Sequence, residues 1–370
     1  MALPPTHKAL VQEVYGEPLK VKEIPTPKPT PGAAILKILH APIISYMRDV
    51  YNGKRKYAYP TPLVTGTSAI GRVAAVGSDA TTLKEGDLVC FDSTIHGRDD
   101  PQAIMLMGIA EGGTDASRSL MRGEWRDATF AQYAKVPLEN CYILDEERLC
   151  SPTANGGLGY STAQLCWILQ GLVPYGGLRS IQLQAGETVI ISPATGGFGS
   201  AAVVVALAMG ARVIAMGRNI EKLNKLKALG PRVETVPLTG VLETDLAALK
   251  KFGKADAFFD ISPREAQSSE HFKAAILSLR HEGRFSYMGG LVEDLPLPIR
   301  FIMRFDIAIK GKWMYGRADI LNFLGLINMG AIDLHAFVNV VGRFPLEDWQ
   351  KAFDVAADQG KLGHLALFEP

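Results

Sequence analysis

The segment Thr188-Val-Ile-Ile-Ser-Pro-Ala-Thr-Gly-Gly-Phe-Gly199 constrains this chain most, because it runs directly into the apolar stretch 200–209, which is closed by Gly210. A short continuous apolar run, a glycine-rich turn and a helical run, in that order, predict a buried strand turning into a helix. Gly196 would let a backbone approach a pyrophosphate. Gly199 would let helix and strand pack closely, and the helix N-terminus offers N–H groups that lack helical partners. Ala194 stands where the G-x-G-x-x-G pattern has its first glycine. Ala194, Thr195, Gly196, Gly197, Phe198 and Gly199 are therefore candidate contacts to a dinucleotide.

The same alternation continues downstream. Segments 212–216, 233–237, 257–261 and 284–288 read as strands, and 307–315 as a candidate sixth. Segments 161–170, 221–229 and 264–279 read as helices. Strands and helices alternating at this spacing predict a doubly wound parallel sheet with helices on both faces. The first 150 residues differ. Segments 8–14 and 19–24 alternate around Gly16-Glu17-Pro18, a hairpin signal. Further short strands are expected at 33–41, 69–76, 87–91, 130–136 and 141–144, punctuated by Gly and Pro, which suggests a small barrel or sandwich. Residues 92–127 read as a long irregular polar stretch, the kind of uncovered loop that serves as a lid or binding loop. A helix at 346–358 and a strand at 364–368 lie outside the repeat.

A length of 370 residues fits two or three domains. The net charge is +1, with no basic field for nucleic acid and no polybasic run for an anionic membrane. The longest apolar run, 201–209, is far short of the ~20 residues that span a bilayer. Cys90, Cys141, Cys150 and Cys166 form no C-x-x-C pair, which argues against a closed zinc site and for free thiols in a reducing compartment. A cytoplasmic protein with a small-molecule substrate is the expectation.

The second strand of the repeat chooses between cofactors. NAD sites carry an acid at its end, about 20 residues past the glycine turn, for the ribose 2′-hydroxyl. Here the strand ends Ala215-Met-Gly-Arg-Asn219, with no acid and with Arg218 in that place. An Arg fork suits a 2′-phosphate. Lys222 follows one turn later and Asn219 lies between, so Arg218, Asn219 and Lys222 are read as cofactor contacts and the cofactor as NADP(H).

With these residues in place the chain resembles the medium-chain dehydrogenase/reductase superfamily, which pairs a GroES-like β-barrel domain with a Rossmann domain. The resemblance rests on Gly66-Thr-Ser-Ala-Ile-Gly-Arg-Val-Ala-Ala-Val-Gly77, Glu85-Gly-Asp-Leu-Val89, Phe130-Ala-Gln-Tyr133 and the 194–199 turn. It implies a GroES-like domain at 1–158, a Rossmann domain at 159–320, and a segment 321–370 that returns to the first domain. It also implies a homodimer paired through the sheet edge near 307–315. Aligned on Gly53, Ile44 stands where zinc relatives have a catalytic cysteine, and Gly66-Thr67-Ser68 stands where they have Gly-His-Glu. The four-cysteine structural zinc lobe is missing as well. The closer likeness is to the zinc-independent branch of quinone and enone reductases, although Val204 replaces the Gln of the quinone oxidoreductase signature. Trans-acting enoyl reductases of fungal polyketide pathways share its domain order.

The resemblance also ranks the reacting groups. Tyr46 falls where zinc relatives carry their relay hydroxyl, and a neutral phenol can donate to a developing oxyanion. Asp49, three residues on, would orient Tyr46 or cap the helix. Thr162, in Tyr160-Ser-Thr-Ala163, matches a position beside the nicotinamide, and Gly289, within 286–290, lies near its carboxamide by analogy. His40, which ends a strand, reads more simply as a structural histidine than as a catalytic one. His96 reads as part of a solvated loop, and Trp313 and Tyr315 as core or dimer-seam residues. The function this implies is NADPH-dependent, zinc-independent reduction of a conjugated C=C or a quinone. The alternatives are an aldehyde or ketone reductase, and a cofactor-binding biosynthetic catalyst with little redox turnover.

Overall fold

A computed structural model describes residues 3–358 and 360–370. It divides into two compact units. One comprises Met1–Leu169, Leu334–Gly360 and His364–Pro370, and the other Gln170–Asp333 with Lys361–Gly363. The sequence division at 158/159 and 320/321 therefore stands 11 and 13 residues ahead of the breaks in the structure, at 169/170 and 333/334.

The second unit is built on a six-stranded parallel sheet. Its spatial order is Val233–Pro237, Arg212–Gly217, Thr188–Ser192, Ala255–Asp260, Leu279–Tyr287, Ala308–Gly311. In chain order that is 3-2-1-4-5-6, the doubly wound Rossmann arrangement, which puts ligands at the carboxyl ends of the central strands. Thr188–Ser192 lies at the switch point, paired with Arg212–Gly217 on one side and Ala255–Asp260 on the other. Central strands covered on both faces need apolar side chains throughout. Val189, Ile190, Ile191, Val213, Ala215, Phe258 and Phe259 are accordingly buried. The expected helix over 264–279 is shorter, with a single 3-10 turn at Arg264–Ala266 and the α-helix only over His271–Leu277. Helices Leu242–Lys250 and Arg317–Asn328 add to those the sequence predicts.

The first unit is a set of short, mainly antiparallel strands. Thr6–Gln12 and Lys20–Pro25 form the expected hairpin. Ala33–Pro42 is the hub, pairing with Ala69–Val76, Tyr133–Pro137 and His364–Phe368. Phe130 lies edge-on to Phe368 with ring centroids 4.6 Å apart, and Phe353 joins the same cluster. The C-terminal segment thus completes the core of the first unit.

The stretch 92–127 corrects the sequence reading. It is not an uncovered loop: Thr94–His96 pairs with Ile104–Leu106, and Asp115–Arg122 is a helix capped by the Thr114 side chain. Ile95, Met105, Met107, Ile109, Met121 and Trp125 are buried in the core. The signal was weak because the helix DASRSLMR is polar overall and buries only Ser117 and Met121, one turn apart.

Candidate functional site

In the Rossmann unit, the strand Thr188–Ser192 turns through Pro193–Thr195 into the helix Gly197–Ala208, with Gly196 at the N-cap. The Ala194 N–H donates to the Met216 carbonyl at 2.6 Å and locks the turn to the second strand. A β-carbon on Gly199 would sit 2.0 Å from the Pro193 carbonyl oxygen, so only glycine allows this close packing. A β-carbon on Gly196 would meet nothing within 4 Å. Gly196 is exposed at a helix N-terminus whose first N–H groups have no helical acceptors, the geometry that receives a phosphate. Ala194 is fully buried, so it shapes the turn, while Thr195 packs its methyl against Gly217. Gly197 and Phe198 are half-buried in the first helical turn.

Arg218 is exposed just past the second strand. The Asn219 side chain is committed to capping the helix Ile220–Lys227, accepting from the Lys222 N–H at 2.9 Å, which is a structural duty for a residue read as a cofactor contact. Burial lowers the Lys222 ammonium from its ordinary value, and the charge of Lys361 lowers it further. Lys361, which the sequence reading passed over, belongs to this unit although it lies near the C-terminus.

Gly289 follows the fifth strand. A β-carbon there would lie 2.4 Å from Asp260 Oδ2. Asp260 is fully buried, accepts from Ser262 Oγ at 2.6 Å and stands 3.5 Å from His271 Nε2. Burial raises its carboxyl, and His271 and Ser262 pull it back. The Gly290 N–H donates to the Ser262 carbonyl at 2.8 Å, so this polar cluster fixes the 288–290 backbone.

In the first unit, Tyr46 is the N-cap of the helix Met47–Tyr51. Its ring lies 6.3 Å from that of Tyr57, and the Arg55 guanidinium sits 4.3 Å from its centroid. Burial raises the phenol above its ordinary value of 10.0 and Tyr57 raises it further, against the pull of Arg55, so the hydroxyl stays protonated. Asp49 does not orient Tyr46. Its carboxylate accepts from Asn52 Nδ2 at 3.3 Å and lies 4.0 Å from Arg48. Tyr57 and Arg55 were missed; a tyrosine in the Lys/Arg-rich turn after Gly53 was the only sign of them.

Thr162 opens the helix Thr162–Leu165 under a capping box made by Ser161 and Gln164. Its hydroxyl is 2.8 Å from His40 Nε2. His40 is buried and tied to a predicted site residue, a contact that neither position announces in the sequence. His96 is exposed, Trp313 is half-exposed beyond the edge strand, and Tyr315 is buried.

Two domain families match the chain: "Alcohol dehydrogenase GroES-like domain" over residues 30–146 and "Zinc-binding dehydrogenase" over 197–328. With the fold, these define the class, and the chain belongs to the medium-chain dehydrogenase/reductase superfamily of oxidoreductases. Among its curated relatives, acryloyl-coenzyme A reductase of Metallosphaera sedula is 28% identical, covering 97% of this chain and 99% of that protein. L-threonine 3-dehydrogenase of Streptomyces avermitilis is 26% identical, covering 97% and 98%. A solved alcohol dehydrogenase from E. coli, complexed with cofactor NADH, shares the fold with a TM-score of 0.78 at 19% identity, covering 99% of this chain and all of that one.

The second family description implies zinc, and the donor set does not fit it. Ile44 is apolar and packs against the core of the first unit. The Thr67 backbone N–H donates to Thr129 Oγ1 at 3.2 Å, and Ser68 Oγ donates to Ser93 Oγ at 3.0 Å. Burial raises the thiols of Cys90, Cys141, Cys150 and Cys166 above their ordinary value. Among the described residues, no three His, Cys, Asp or Glu side chains converge to hold a metal ion.

Proposed function

We propose that this chain is an NADPH-dependent reductase that works without zinc and transfers hydride to a C=C conjugated to a carbonyl, or to a quinone. The observation that carries the reading is the replaced metal site: an apolar Ile44, a threonine at 67 and a Ser68 hydroxyl already engaged with Ser93, in the same unit as a half-buried, protonated Tyr46. A carbonyl reductase must polarise its oxygen with a Lewis acid or a strong donor. An enone or quinone spreads the developing charge by conjugation and needs less. The acryloyl-coenzyme A reductase among the relatives acts, by its name, on such a conjugated bond.

Bound NADPH supplies the hydride. The chain's own residues do the rest. The 194–199 turn and its helix N-terminus hold the pyrophosphate, and Arg218 with Lys222 meets the 2′-phosphate. Two cations as close as Lys222 and Lys361 repel each other, and an anion between them relieves that cost. The 288–290 backbone, fixed by Asp260 and Ser262, orients the carboxamide end. Tyr46 donates its O–H to the substrate oxygen as negative charge develops there.

The reading includes a cytoplasmic location, no nucleic-acid or membrane partner, and a homodimer. The edge strand Ala308–Gly311 supports the dimer, because all four of its residues are exposed. Light scattering at micromolar concentration should give twice the chain mass, and a monomer refutes pairing. No helix among the described residues is long and apolar enough to cross a membrane. The deciding test of function is product analysis with NADPH and cyclohexenone. The saturated ketone supports the reading. The allylic alcohol supports the second reading, a carbonyl reductase, which the dehydrogenases among the relatives favour.

A further inference from the structure

The first unit holds an acid–imidazole–hydroxyl array, built on a buried histidine with a half-buried carboxylate and hydroxyl, that the function so far leaves unused. His40 lies near the end of the hub strand Ala33–Pro42 and is 8% exposed. Its Nε2 is 2.8 Å from Thr162 Oγ1. Its Nδ1 is 3.1 Å from Glu369 Oε1, close in distance but not yet aligned for a hydrogen bond. The same carboxylate oxygen accepts from Arg343 Nη1 at 2.9 Å. The elements that supply these groups are fixed. Ala41 pairs with Phe368 in the sheet, and the Glu369 N–H donates to the Phe344 carbonyl at 2.9 Å. The Cys166 thiol donates to the His40 backbone carbonyl at 3.9 Å.

An imidazole with a hydroxyl in hydrogen-bond reach of one nitrogen and a carboxylate beside the other is arranged to pass protons through the hydroxyl. We propose that His40 is the proton source of the reaction, acting through Thr162 and oriented by Glu369. The proposal rests on the reading of Thr162 as a residue beside the nicotinamide.

The step balances. As hydride reaches the substrate, the Thr162 O–H bond breaks and that proton goes to the reduced substrate. Thr162 Oγ1 takes the Nε2 proton of His40, which falls from imidazolium to neutral imidazole with its Nδ1–H kept on Glu369. After product leaves, water returns one proton to His40 through the same hydroxyl. One hydride and one proton are consumed per turnover, with no other reactant.

The division of labour follows from the two environments. Tyr46 is held above its ordinary value and keeps its proton, which suits a hydrogen-bond donor. Burial is the leading effect on His40 and lowers it below 6.5; Glu369 raises it and Arg343 lowers it. His40 therefore gives up a proton readily, and turnover should rise as pH falls through its titration.

The test uses the full chain, NADPH and cyclohexenone, with turnover profiled between about pH 5 and 8. His40→Gln should lower kcat about 100-fold and flatten the acid limb, with the KM for NADPH unchanged. Thr162→Val should lose as much, and Thr162→Ser should retain most of the activity. An acid limb that persists in His40→Gln overturns the proposal. If His40→Gln does not fold, Thr162→Val decides by the same criterion. Histidine NMR titration gives a readout free of turnover: Glu369→Gln should lower the His40 pKa further, and an unchanged titration overturns the array. A wild type that reduces neither cyclohexenone nor benzoquinone, yet shows the Glu369-dependent titration, overturns the reductase reading and leaves the array supported.

Discussion

Gly196 and Gly199 lie three residues apart in one turn, and the structure assigns them opposite duties that a pair of alanine variants separates. At Gly199 the added β-carbon falls 2.0 Å from the Pro193 carbonyl oxygen and 3.0 Å from Ala194 Cα. Both obstacles are backbone, and the Ala194 N–H is tied to Met216, so nothing can swing aside. Forcing one extra carbon into packed surroundings costs about 1–3 kcal/mol. For a unit of this size each kcal/mol moves the melting temperature by about 2–4 °C, so Gly199→Ala should lose roughly 2–12 °C. At Gly196 the new carbon meets nothing within 4 Å, and the residue has an ordinary φ of −86°. Gly196→Ala should therefore change stability by under about 1 kcal/mol, the scale of an N-cap exchange. Its methyl points into the space a pyrophosphate must enter, so NADPH affinity should fall at least about tenfold, or 1.4 kcal/mol. Differential scanning fluorimetry and NADPH fluorescence titration on both variants suffice. A Gly196→Ala protein that binds NADPH like wild type refutes the placement of the phosphate at this helix end.

Arg218→Ala should weaken NADPH about 10- to 150-fold, the worth of one charge-assisted contact of roughly 1.5–3 kcal/mol, while NADH is nearly unchanged; equal binding of both cofactors by wild type defeats the assignment. Tyr46→Phe should cut turnover about 100- to 1000-fold through loss of an oxyanion donor, with NADPH affinity and melting temperature preserved, and an effect under about tenfold reduces Tyr46 to packing. Burial lowers both His7 and His40 from 6.5, so the unfolded chain binds more protons than the folded one in that range. The stability they contribute is present above pH 6.5 and lost as pH falls below it; thermal melts across that range should show the decline, and replacing both by Gln should blunt it.

Much of the Rossmann unit was legible because each central strand is short, apolar throughout and bounded by glycine or a cap. The central strand Thr188–Ser192 has the expected limits, as do the edge strand Val233–Pro237 and, in the first unit, His364–Phe368. The 92–127 stretch was not legible, since its helix is polar overall and the burial of its one apolar run, 103–110, depends on the hairpin that Thr94–His96 makes with Ile104–Leu106. The cofactor turn is local and shows itself in 12 consecutive residues, Thr188 to Gly199. The acid–base array is not local: His40, Thr162 and Glu369 meet only because the C-terminal strand pairs with the hub strand, over separations of 122 residues and more. Likewise Lys361 joins Lys222 from the far end of the chain, and the Tyr46–Tyr57 pair depends on the turn after Gly53.

The central claim is reduction without zinc, and metal content measured together with activity tests it most directly. After exhaustive dialysis against a chelator, the protein should contain no stoichiometric zinc and should oxidise NADPH with cyclohexenone at its original rate. About one tightly held zinc per chain, with activity lost on its removal and restored on its return, would contradict the account.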